Sequence, residues 1–105
     1  MKEAGPPYWL YLLECEGGSY YAGVALDVEQ RFFLHVFGRG ARYTRAHPPL
    51  RVVAAARYGS KGAALSAEYR LKQLPRANKL TFFAAGAAHA DGGRIQGSKG
   101  VRGWR

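Results

Sequence analysis

The chain is short of cysteine, of acids and of long apolar runs. Cys15 is the one cysteine among 105 residues. A single thiol excludes an intramolecular disulfide and a thiolate metal cluster. Because it lies in an apolar run, Cys15 reads as a small buried side chain rather than a nucleophile. No stretch approaches the length of a membrane span. The first ten residues, MKEAGPPYWL, lack the apolar core of a secretory signal. A soluble, cytoplasmic chain is therefore expected. Acids number 7 against 16 Lys and Arg, a formal charge of +9. So small a body with that charge attracts polyanions. No internal repeat is visible.

What remains is enough for one domain. Forty-eight per cent of the residues are hydrophobic, which excludes a wholly disordered chain and supports one modest core. Residues 1–7 read as a lead-in ending in Gly5, Pro6 and Pro7. Tyr8 to Cys15 is a strand-like aromatic and apolar run. Glu16-Gly17-Gly18-Ser19 is hairpin-turn chemistry, and Ser19 to Ala25 is the returning strand. Asp27 is a helix N-cap with Gln30 in the capping-box position. Val28, Phe32 and Val36, with Leu34, form that helix's expected apolar stripe, and Gly38 and Gly40 stop it.

GRGARYTRAHPP reads as a basic loop, and Leu50 to Tyr58 as a third strand. Ser60 caps a helix over Lys61 to Leu74, with Ala64, Leu65, Ala67, Leu71 and Leu74 facing the core. Pro75 breaks it, and a last helix runs from Arg76 to about Ala85. Residues 86–105 are Gly-rich, basic and aperiodic, and read as a flexible tail. The order ββαβαα implies an α+β domain over 8–85: a small three-stranded, largely antiparallel sheet flanked by helices.

Several polar residues stand out. Tyr11 and Tyr21 fall on paired strands. Arg31 and His35 share a face of the first helix, at the rim of its apolar stripe. Glu68 falls between Ala64 and Leu71 on one side and Leu65 on the other, where a carboxylate needs a cation or an ion pair with Arg70 or Lys72. Arg39, Arg42, Tyr43 and Arg45 offer three guanidinium groups and an aromatic ring, a set that suits a phosphate backbone and an unstacked base.

In order and spacing these fragments resemble the GIY-YIG nuclease domain, in its small single-domain bacterial branch. Trp9-Leu10-Tyr11 stands for the first half-motif and Tyr21-Ala22-Gly23 for the second. EQRFFLH carries Arg31 and His35, GRGARYTR is similar to the branch's basic loop, and AEYRLKQL to its acidic helix. Trp9 and Leu10 replace the name-giving glycine and isoleucine, and Ala22 replaces a larger apolar residue. Both tyrosines and Gly23 are kept.

The resemblance implies a metal-dependent endonuclease acting on DNA, in repair or processing, and so near the nucleoid. It implies catalytic roles for Tyr11, Tyr21, Arg31, His35 and Glu68. Tyr11 would help deprotonate the attacking water, its pKa lowered from about 10 by Arg31 and a metal. Glu68 would be the sole protein carboxylate on Mg²⁺ or Mn²⁺. Arg31 would bind the scissile phosphate, Tyr21 would hydrogen-bond the phosphate or the water, and His35 would assist proton transfer. Lys72 joins Arg39, Arg42, Tyr43 and Arg45 as a nucleic-acid contact. A bare module of this kind would have slight specificity or take it from a protein partner. Two other readings compete: a nucleic-acid-binding module, for DNA or RNA, with weak or no turnover, and a basic RNA- or ribosome-associated structural protein.

Overall fold

A computed structural model describes residues 6–84 and the backbone of residues 95–96. Its elements are β1 (Tyr8–Cys15), β2 (Tyr20–Ala25), α1 (Val28–Val36), α2 (Arg42–Ala46), β3 (Pro49–Tyr58), α3 (Lys61–Lys72), α4 (Arg76–Ala84) and β4 (Ile95–Gln96). The sheet is antiparallel in the order β2-β1-β3-β4. The expected α+β architecture is therefore present. Among the described residues no helix is long and apolar enough to cross a membrane.

The β1–β2 turn uses its two glycines as the sequence implies. Gly17 and Gly18 both take φ of 87°, which residues with a Cβ rarely adopt. The register then sets Tyr11 opposite Gly23 and Leu13 opposite Tyr21. Strand alternation divides β1 between two cores. Leu10 and Leu12 pack with Ala64, Ala67 and Leu71 of α3 and with Phe82 and Phe83 of α4. Tyr11, Leu13 and Cys15 pack with Val28 and Phe32 of α1 on the opposite face. The sheet is thus covered on both sides, and β2 forms one edge.

Both expected caps form. Asp27 accepts the N–H of Gln30 at 3.0 Å, and Ser60 accepts that of Ala63 at 3.1 Å. The stripe of α1 differs from expectation. Val28, Phe32 and His35 are buried, while Val36 is 41% exposed. Helical rotation explains this: His35 lies about 20° from Val28 around the axis, and Val36 about 80°. Leu65 is likewise exposed, so α3 buries a narrower face of Ala64, Ala67 and Leu71.

Two further differences concern stretches read as lacking elements. The basic loop contains α2, whose breaker-free Arg42–Ala46 turn is anchored by buried Thr44. In the C-terminal stretch, Ile95 and Gln96 pair with Ala56 and Ala55 at the β3 edge. The flexibility expected of the rest of the tail, and nearly all of the lead-in, lie outside the described residues.

Candidate active site

Tyr11 is the centre of the arrangement. Its ring is 1% exposed, and its hydroxyl lies 2.9 Å from Nε2 of His35. Reaching that position takes the ring across Gly23 of β2, where a Cβ would overlap the tyrosine hydroxyl. The glycine of the second half-motif therefore makes room for the tyrosine of the first. His35 needs a similar space: a Cβ on Gly40 would overlap its Nδ1.

The other imidazole nitrogen is also engaged. Nδ1 lies 2.6 Å from Oγ1 of Thr44, and that hydroxyl donates to the carbonyl of Ala41 at 3.0 Å. With the threonine proton spent on Ala41, Nδ1–H is the donor to Thr44. The N–H of Ala41 approaches Nδ1 only at 3.4 Å, too long to outweigh the 2.6 Å contact. Nε2 is then the bare acceptor, and the Tyr11 hydroxyl donates to it. A four-group chain results: Tyr11 to His35 to Thr44 to the Ala41 carbonyl.

Electrostatics suit that direction. Burial, and secondarily Arg31, lower the pKa of His35, so the imidazole is neutral at neutral pH. Burial also raises the pKa of Tyr11, with Tyr21 and Glu68 adding to the rise and Arg31 opposing it. The expected lowering of the Tyr11 pKa is thus reversed in the protein alone. Arg31 acts in the expected direction, but desolvation of the phenolate outweighs it.

Glu68 sits beside this centre, its side chain 19% exposed and ion-paired through Oε2 with Lys72 Nζ at 3.1 Å. Lys72 also lies over the Tyr21 ring, 5.9 Å from its centre. Tyr21 meets the His35 ring edge-on at 5.2 Å and stacks with Tyr43 at 5.9 Å. Tyr43 in turn stacks with His47 at 4.3 Å. A cleft of about 220 Å³ runs along this aromatic row, lined by Tyr20, Tyr21, Tyr43, Lys72 and Lys79. Lys79 donates to the Leu71 carbonyl at 3.0 Å, and burial, then Lys72, lower its pKa.

The structure therefore brings together Tyr11, Tyr21, Arg31, His35, Glu68, Tyr43 and Lys72. Arg39, Arg42 and Arg45 are exposed, on α2 and the turn before it. His35 is not at the rim of the core but 2% exposed within it. Thr44, Gly40, His47 and Lys79 were not singled out from sequence. Gly40 was read only as a helix stop, and Thr44 carries no periodic signal.

The chain is similar to known proteins. The GIY-YIG catalytic domain matches residues 7–81. A UPF0213 protein of Xanthomonas campestris is 53% identical over 83 residues, 79% of this chain and 81% of that protein. A second, from Cupriavidus pinatubonensis, is 48% identical over 73% of this chain and 86% of its own. The solution NMR structure of the UPF0213 protein BH0048 from Bacillus halodurans is 37% identical, with a TM-score of 0.48, covering 82% of this chain and 87% of that one. With the catalytic-domain match spanning both tyrosines, Arg31, His35 and Glu68, the chain belongs to the GIY-YIG family.

Proposed function

We propose that the protein is a metal-dependent endonuclease hydrolysing DNA phosphodiester bonds, acting in DNA repair or processing in the cytoplasm, at the nucleoid. The observation that carries this reading is the buried Tyr11–His35 contact of 2.9 Å, flanked by Arg31 and Glu68.

A phenol with a raised pKa is not a free base at neutral pH. It can pass a proton on. Tyr11 takes a proton from the attacking water as its own hydroxyl proton moves to Nε2 of His35. The resulting hydroxide attacks phosphorus, the P–O bond to the leaving sugar oxygen breaks, and that oxygen takes a proton from solvent; Tyr11 ends as it began, and the His35 imidazolium returns its proton to bulk water. Thr44 and Ala41 hold the imidazole in the receiving tautomer. Exposed Arg31 binds the non-bridging oxygens of the scissile phosphate through its planar fork and stabilises their growing charge. The Tyr21 hydroxyl orients the phosphate or the water.

Glu68 fits a hard divalent cation. It is a partly buried carboxylate, and its ion pair with Lys72 engages one oxygen and leaves the other. Among the described residues no three acidic, His or Cys side chains gather. A single carboxylate completed by water and phosphate oxygens is an ordinary set for Mg²⁺ or Mn²⁺, which when bound supplies Lewis-acid charge at the phosphate. The aromatic row and Lys72, with Arg39, Arg42 and Arg45, provide the surface for the nucleic-acid strand. In this reading a partner protein supplies specificity.

The raised pKa of Tyr11 and the Lys72 pairing of Glu68 favour a second reading, a DNA- or RNA-binding module with weak or no turnover. Mg²⁺-dependent cleavage of labelled duplex, nicked, flapped and branched DNA separates the two. The endonuclease cuts at least one substrate, and Glu68→Ala does not. Binding without cleavage across the panel establishes the second reading.

A further inference from the structure

Arg31 has a second neighbourhood. Besides acting on Tyr11, it lines a cleft of about 280 Å³ between the start of β1, the end of β2 and the start of α3. Tyr8, Leu26, Asp27, Gln30 and Lys61 contribute to its walls. None of its residues belongs to the aromatic cleft beside Tyr21.

The charge in this cleft is specific. Lys61 and Arg31 are both exposed, and among the described residues neither forms an ion pair. Lys61 Nζ lies over the Tyr8 ring, 5.9 Å from its centre. Asp27 is committed to the first turn of α1 through its bond from Gln30. With Arg31 given to the scissile phosphate, Lys61 is the cation left in this cleft, and its single charge suits a singly charged phosphodiester better than a doubly charged terminal phosphate.

We propose that this cleft receives the phosphodiester adjacent to the scissile one, with Lys61 as its cation. The proposal rests on Arg31 binding the scissile phosphate. A strand held there continues in two directions. One runs along the tyrosine row, where rings meet bases. The other enters the polar cleft, where the Tyr8 face already lies under Lys61 and the free partner is an ammonium. A strand must therefore extend at least one linkage beyond the cut on the Lys61 side, which makes the activity internal rather than terminal from that end.

The test places a neutral methylphosphonate at the linkage on either side of the mapped cut in a short DNA strand. On one side it should lower kcat/KM of the wild-type protein about tenfold, the loss of one charge-assisted contact. Lys61→Gln should show that same loss with the natural linkage and no further loss with the neutral one. Lys61→Arg should restore the discrimination. Lys61 is exposed, so equal melting temperatures should confirm that the variants fold. An equal methylphosphonate effect in wild type and Lys61→Gln overturns the proposal, as does no effect on either side. If no strand is cut by any form, the endonuclease reading fails and binding still decides Lys61. Lys61→Gln should then flatten the log–log salt slope of DNA binding by about one unit. An unchanged slope overturns the phosphate subsite.

Discussion

Gly23→Ala should unfold the protein at a markedly lower temperature, and the reason is Tyr11. Gly23 does not have the positive φ that favours glycine. What it lacks is space: a Cβ there would overlap the Tyr11 hydroxyl and lie 2.5 Å from Cζ. The Tyr11 ring is 1% exposed and has nowhere to swing. Forcing one methyl into a packed site costs about 1–3 kcal/mol. For a domain of this size that is a melting-temperature fall on the order of 5–20 °C. It also pushes the hydroxyl away from His35. Thermal unfolding by circular dichroism of wild type, Gly23→Ala, Tyr11→Leu and the double variant gives a complete cycle. In the Tyr11→Leu background, which lacks Cζ and the hydroxyl, the cost of Gly23→Ala should shrink to a few tenths of a kcal/mol. The reasoning fails if Gly23→Ala melts within a degree of wild type, or costs the same in both backgrounds.

Other outcomes follow from the same geometry. Thr44→Val keeps the shape but removes the acceptor for Nδ1–H of His35; it should lower stability by about 1–3 kcal/mol by denaturant titration and slow cleavage as well. His35, its pKa lowered by burial and then Arg31, binds fewer protons folded than unfolded. Its share of stability is fully present above about pH 6.5 and is lost as pH falls toward the depressed folded value. Wild type should therefore lose more melting temperature than His35→Gln between pH 7.5 and 5, and parallel losses would contradict the burial argument. Glu68→Ala removes only a part-exposed i,i+4 ion pair, so it should melt within a few degrees of wild type while losing Mg²⁺-dependent cleavage. A large drop in melting temperature would mark Glu68 as structural.

Most of the scaffold was legible because it follows local rules. Glycines at the hairpin turn, Asp27 and Ser60 at helix starts, and Pro75 after α3 each have a conformational reason visible in the chain. The order of the two half-motifs, Arg31, His35 and Glu68 was legible through the resemblance to the GIY-YIG domain instead. The failures arise where tertiary contacts override periodicity. His35 replaces Val36 on the buried face of α1 because Tyr11 and Thr44 satisfy both its nitrogens, and no single-helix pattern shows partners on other elements. α2 escaped notice because its anchor is a threonine bonded to that histidine. The pairing of Ile95 and Gln96 with β3 is a long-range contact with no sequence period behind it. In the protein alone burial outweighs Arg31 at Tyr11 for a related reason: the sequence shows Arg31 nearby but not how completely the ring is buried.

In the proposed hydrolysis of DNA, Tyr11 relays a proton to His35. Single-turnover cleavage by Tyr11→Phe, at saturating DNA with Mg²⁺, tests it most directly, because the substitution keeps the ring and removes only the hydroxyl. The rate should fall at least about a hundredfold below wild type, with DNA affinity changed far less. A Tyr11→Phe protein that cuts at the wild-type rate would contradict it.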